Sequence, residues 1–168
     1  MYLIEWGDIV DREYKMRYNF FGVIHREAVV IMNILFFLTP KSEVAYINKD
    51  DTIRQALEKM EYHRYSSIPL IDEKGKYIGT VTEGDMLWYI KNNGDLTLHT
   101  VEGLSVMEVK RKQDNHPVYA SSNMEDLFSK AQQQNFVPVI DDDDTFIGII
   151  TRKDIMSFMC KKFKVANQ

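Results

Sequence analysis

The sequence predicts an α+β protein made of two similar halves packed sheet to sheet around one shared core. Three observations carry that expectation: a long-range internal repeat, the same order of extended and helical segments in each copy, and copies too short to be stable alone. Of 168 residues, 45% are hydrophobic and 27% charged, with only 8 Gly and 4 Pro. That composition excludes collagen-like and globally disordered chains. A formal net charge of −4 supplies no basic field, so no nucleic-acid partner is expected. The single cysteine, Cys160, has no partner for an internal disulfide, and the cytoplasm is the default location.

Residues 1–31 mix apolar and charged side chains without a sustained period. The apolar stretch Val29–Leu38 is too short to span a bilayer, which takes roughly 20 apolar residues. No cleavage site of the secretory kind follows it. Two readings stand for this front segment. It is a tail that packs on the domain or frays from it, or the natural protein begins at Met32 and residues 1–31 are an annotation error. In the second reading, Arg26-Glu27-Ala28 would be encoded by a purine-rich ribosome-binding stretch. N-terminal mass spectrometry of the native protein separates the two.

The repeat follows. Ser67-Ile68-Pro69-Leu70-Ile71-Asp72 leads to Gly79-Thr80-Val81-Thr82-Glu83-Gly84-Asp85, and Val137-Pro138-Val139-Ile140-Asp141 leads to Gly148-Ile149-Ile150-Thr151-Arg152-Lys153-Asp154. Pro69 matches Pro138, Gly79 matches Gly148, Thr82 matches Thr151 and Asp85 matches Asp154, every pair 69 residues apart. Each copy opens with a short extended piece, Val44–Ile47 or Val118–Ala120. A helix comes next: the first has Asp50 or Asp51 as N-cap and Ile53, Ala56, Leu57 and Met60 on one face. Its partner starts near Ser122 or Asn123 and presents Met124, Leu127, Phe128 and Ala131. Two apolar runs then flank a polar hairpin turn, Asp72–Lys76 or Asp141–Thr145. A closing helix starts near Thr82 or Thr151, carrying Met86, Leu87, Trp88 and Ile90, or Ile155, Met156, Phe158 and Met159.

The repeated Gly-x-x-Thr-x-x-Asp stands where a strand turns into a helix. Such a junction offers free helix amides and short polar side chains at a sheet end, where anions are readily held. Asp85 and Asp154 each present two acceptor oxygens, suited to the vicinal hydroxyls of a ribose. Thr82 and Thr151 reach sugar or phosphate oxygens. Arg152 and Lys153 add cations beside the second Thr, whereas the first copy has Glu83 and Gly84, so the two sites are electrostatically unequal. The same Thr and Asp also make ordinary capping chemistry, and the two roles are compatible.

These motifs, with the lead-ins Leu38-Thr39-Pro40-Lys41-Ser42 and Ser105-Val106-Met107-Glu108-Val109, resemble a tandem pair of CBS domains, a Bateman module. The resemblance divides the chain into 1–31, a first domain 39–92, a linker 93–104, a second domain 105–162 and a tail 163–168. It implies two clefts related by a pseudo-twofold axis, which bind adenosine-type nucleotides such as AMP, ADP, ATP or cyclic di-AMP as regulatory ligands. Carried over, Asp85 and Asp154 hold ribose, Thr82 and Thr151 contact ribose or phosphate, Thr80 and Ile149 offer backbone to the base, and Arg152 and Lys153 meet phosphate. It also implies a homodimer formed through helix faces. Glu83-Gly84 departs from the pattern and makes the first site less welcoming to phosphate.

Other features read plainly. Asp141–Asp144 is a solvated hairpin tip, and His25, His63, His99 and His116 lack ligand partners at metal spacing, so no metal is expected. Arg64 is an exposed helix-end cation, and Cys160 is a packing residue. No nucleophile elbow, Walker loop or His-Glu-x-x-His occurs, so no enzyme is expected. The favoured reading is a stand-alone regulatory sensor acting on a separate effector protein, with no membrane span. Its rival is a structural module that dimerises or scaffolds with empty clefts.

Overall fold

Each half folds as its hydrophobic periodicity dictates, and the two halves then exchange their leading segments. The structure, a computed structural model, describes residues 33–93, 100 and 103–166. The front segment 1–31 with His25, and linker residues 94–99 with His99, lie outside the described residues, as do the side chains beyond Lys161. Asn33–Met159 form one compact unit. In chain order the elements are β1 (Thr39–Pro40), β2 (Ile47–Asn48), α1 (Ile53–His63), β3 (Ser67–Ile71), β4 (Tyr77–Thr82) and α2 (Glu83–Asn92). The second half supplies β5 (Val118–Tyr119), α3 (Met124–Gln133), β6 (Phe136–Ile140), β7 (Phe146–Thr151) and α4 (Arg152–Ala166). This is the α+β architecture expected of two β-α-β-β-α repeats.

The sheets are ordered β2-β3-β4 and β1-β7-β6-β5. Proline in a central strand normally argues against the assignment, because it lacks the ladder donor. Here Pro69 pairs with Thr80 of β4, while the other neighbour, β2, meets only Leu70 and Ile71. Pro138 sits likewise beyond the two residues that β5 pairs. Both prolines therefore occupy locally unpaired edges of strands that are central elsewhere.

Thr52, and neither Asp50 nor Asp51, caps α1. Its hydroxyl accepts from the Gln55 N–H, and the Gln55 side chain accepts from the Thr52 N–H. The Asp51 carboxylate is spent elsewhere, on the Asn48 N–H and on Lys59 at 2.7 Å. The first extended piece is also displaced from Val44–Ile47: the strand is Ile47–Asn48, and Val44 closes a 3-10 turn instead. In the second copy the strand stops at Tyr119.

The core of the first half gathers Ile47, Ile53, Ala56, Met60, Ile68, Leu70, Val81 and Met86, but also Val106 and Val109 from the lead-in of the second half. Conversely, β1 from the first lead-in pairs antiparallel with β7, and Phe37 packs edge-on against Phe158 of α4. Each half thus completes the other. Between the sheets, Val44, Ile71, Phe136, Phe146 and Ile149 form a shared cluster. Lys76 bridges Thr145, and Tyr77 stacks on Phe146 with centroids 6.1 Å apart. Both contacts join residues at matched repeat positions, which places the pseudo-twofold axis there.

One packing expectation, that of Cys160, is corrected. Leu87, Trp88 and Met156 are exposed, because the closing helices bury only the stripe headed by Met86 and Ile155. Cys160 is exposed. Arg64 is exposed as expected, and it ends α1 in the left-handed conformation at φ 57.

Candidate functional site

The repeated Thr–Asp doublets lie where β4 enters α2 and where β7 enters α4. In the first, the Thr82 hydroxyl donates to Asp85 Oδ2 at 2.7 Å and accepts from the Asp85 N–H. The same Oδ2 accepts from the Thr82 N–H, closing a reciprocal capping box. In the second, the Thr151 hydroxyl donates to Asp154 Oδ2 and accepts from the Asp154 N–H. Capping is therefore real at both junctions, and it holds each carboxylate in a fixed orientation at a helix N-terminus.

Beyond the caps the two sites part. Asp85 is 5% exposed, and its remaining oxygen, Oδ1, accepts from the Lys112 N–H. Asp154 is exposed, so its carboxylate faces solvent. Thr80 is buried: its N–H donates to Asp114 Oδ1 at 2.9 Å, and its hydroxyl meets the Tyr77 hydroxyl at 2.7 Å. The Tyr77 hydroxyl in turn donates to the Asn115 carbonyl. Burial pushes the Tyr77 phenol well above its ordinary pKa, so it stays a neutral donor. Ile149 sits within the ladder opposite Thr39 and joins the shared core. Arg152 donates through Nε to the Gln134 carbonyl at 3.2 Å, while Lys153 is exposed beside it.

The matched glycines explain how each site is roofed. A Cβ on Gly148 would meet the Thr39 carbonyl oxygen at 2.2 Å, so the backbone of the first lead-in lies directly on this strand. A Cβ on Gly79 would instead meet Asp114 Oδ1 at 2.3 Å and Arg111 Nε at 2.9 Å. Side chains from the segment just behind the second lead-in therefore take the place that main chain takes in the other half. Arg111 and Asp114 form an ion pair at 2.8 Å. Sequence reasoning missed Arg111, Lys112, Asp114 and Asn115. The signal that could have found them is the basic run Lys110-Arg111-Lys112 just behind the second lead-in.

Asp141, at the acidic hairpin tip, accepts through Oδ1 from the Asp143 and Thr145 N–H groups, as Asp72 does from Lys74 and Lys76. The tip is a turn built on that carboxylate. Among the described residues no group of three or more His, Cys, Asp or Glu is placed to hold a metal ion.

A family model described as the CBS domain matches residues 37–92 and 106–161. The chain belongs to the CBS-domain family. A solved structure of CbpB in complex with c-di-AMP is 26% identical with a TM-score of 0.69, covering 78% of this chain and 86% of that one. A CBS domain protein from Streptococcus pneumoniae TIGR4 shares the fold at a TM-score of 0.73 and 21% identity, covering 89% and 97%. Among curated proteins, inosine-5'-monophosphate dehydrogenase of Methanocaldococcus jannaschii is 27% identical over 142 residues, 80% of this chain. This CBS chain spans only 27% of that enzyme's length. Among the described residues no helix is long and apolar enough to cross a membrane.

Proposed function

We propose that this CBS pair is a regulatory sensor that binds an adenosine-type nucleotide and modulates a separate effector protein. The observation that carries the reading is the exposed Asp154 carboxylate, held by Thr151 at the N-terminus of α4 with Lys153 beside it. A carboxylate fixed in that way accepts from two ribose hydroxyls, while the helix amides and a nearby cation favour phosphate. The likeness to CbpB, whose structure holds c-di-AMP, supports the ligand class. AMP, ADP, ATP and cyclic di-AMP are the nucleotides to screen. Nucleotide affinity that differs between two arrangements of the pair is all the signalling requires.

Thermal shift with each nucleotide, followed by calorimetry, tests the reading, because a ligand of the folded state raises stability by mass action. Asp154→Ala is expected to weaken binding by about 1.5–3 kcal/mol, the range for hydrogen bonds to a charged group. Its melting temperature without ligand should stay close to that of the parent. Absence of a shift with every nucleotide would overturn the sensor reading in favour of a scaffold.

The exposed apolar side chains of the closing helices, Leu87, Trp88 and Met156, suit a homodimer formed through helix faces. Sedimentation of the parent against Trp88→Asp measures it: a dimer that becomes a monomer is the expected result. The single exposed thiol at Cys160 is compatible with the reducing cytoplasm in which we place the protein.

A further inference from the structure

The two Thr–Asp sites differ in one decisive respect: the chain's own polar groups occupy the carboxylate of the first and leave that of the second in solvent. Residues 110–117 run without regular secondary structure between Val109 and Val118, which are 2% and 3% exposed and pin both ends. Between those pins, three hydrogen bonds tie the segment to the first repeat. The Lys112 N–H occupies Asp85 Oδ1, Asp114 Oδ1 occupies the Thr80 N–H, and the Asn115 carbonyl occupies the Tyr77 hydroxyl. The Asp114 carboxylate lies over Gly79, so close that a methyl group there would overlap it. The matched positions of the second half are otherwise engaged: Ile149 and Gly148 are covered by the β1 ladder, and Asp154 faces solvent.

We propose that residues 111–115 are an internal strap that closes the first cleft, with Asp114 standing where a ligand would engage Thr80, so that a nucleotide reaches the second site, at the exposed Asp154, without any strap being lifted. The inference rests on the nucleotide reading for what enters the clefts, and on geometry alone for the strap. Two of the three strap contacts have a direct replacement: ribose hydroxyls for the Lys112 N–H on Asp85, and an acceptor on the base for Asp114 on Thr80. Lifting the strap takes Asp114 off the Thr80 N–H and carries its pair with Arg111 along, since both residues ride on the strap. Lys110 and Lys112 stand at the pinned end of the strap, so cations that Glu83-Gly84 lacks stay beside the opened cleft. The ion pair is part-exposed, with side-chain exposures of 19% for Arg111 and 38% for Asp114, so water reaches the latch.

Two measurements on the full chain test this, one without ligand. Amide hydrogen exchange should show slow exchange at Thr80 and Lys112, and Asp114→Ala should speed Thr80 by at least about tenfold while leaving β6 and β7 unchanged. Asp114→Asn keeps the shape and the acceptor oxygen but loses the ion pair; it should speed Thr80 by a smaller factor and guards against misfolding of the alanine variant. Unchanged Thr80 exchange in both variants overturns the strap.

Equilibrium dialysis with AMP supplies the second arm. The parent should bind one AMP per chain, lost in Asp154→Asn. Asp114→Ala should bind two, returning to one when Asp85→Asn is added. Two AMP in the parent with one lost on Asp85→Asn, or a single AMP in Asp114→Ala, overturns the closed cleft. If no variant binds AMP, the nucleotide reading fails for that ligand, and the exchange result still decides the strap.

Discussion

At Gly148 the backbone lies at φ +155, and the Thr39 carbonyl occupies the space a side chain would need. Neither partner can move cheaply, because Thr39 and Gly148 both belong to the β1–β7 ladder. Gly148→Ala should therefore cost about 1–3 kcal/mol in chemical denaturation, the scale of a strained backbone position. Gly79 has its matched place, yet the atoms above it are the ends of the Asp114 and Arg111 side chains. Gly79→Ala should lose only about 1 kcal/mol or less while speeding exchange of the Thr80 amide, because the strap yields before the fold does. Both glycines were legible in the sequence as matched residues of a repeat. What approaches each was not, since the neighbours come from lead-in segments distant in sequence whose side chains carry no period.

At the scale of elements, caps and turns follow one chemistry used twice with unequal consequence. Thr82 serves a carboxylate that is 5% exposed, whereas Thr151 serves one in solvent. Thr151→Ala should cost about 1 kcal/mol, the ordinary value for a lost N-cap. Thr82→Ala should cost more, because it also leaves a buried carboxylate short of a donor, a penalty of roughly 1–3 kcal/mol. A reversed order in urea denaturation would contradict that accounting.

The hairpins make a pH-dependent element. Backbone N–H groups of Lys76 and Thr145 hold the Asp72 and Asp141 carboxyls below their ordinary value of 3.8. A depressed folded-state pKa stabilises fully above the unfolded value and is lost as pH falls through the folded one. The parent should therefore lose melting temperature below about pH 4, and Asp72→Asn with Asp141→Asn should flatten that fall. The hairpins were readable from their polar turns between apolar runs. The α1 cap was misplaced because three candidate capping residues stand in a row, and only the reciprocal partner Gln55 distinguishes Thr52.

For the whole molecule, the exchange of lead-ins governs stability. The repeat made two halves with one shared core legible, since apolar periodicity and matched motifs report each half's own strands and helices. It could not show that Val106 and Val109 belong to the first half's core, or that Thr39–Pro40 extends the second half's sheet. Two-residue strands and 3-10 turns are too short to carry a period. The docking is specific: the Ile53 N–H donates to the Leu104 carbonyl, and the Val106 N–H donates to the Asp51 carbonyl, each at 3.0 Å. A half produced alone loses buried side chains that only the other lead-in supplies, and a domain of only about 60 residues has little stability to spare. Residues 33–93 and 103–168, expressed separately, should each give a far-UV spectrum without a cooperative melt. Mixed in equal amounts, they should regain helix signal and a single transition whose midpoint rises with concentration, as mass action requires of a reassembled pair. A cooperative melt from either half alone would show that the lead-ins decorate the cores rather than complete them.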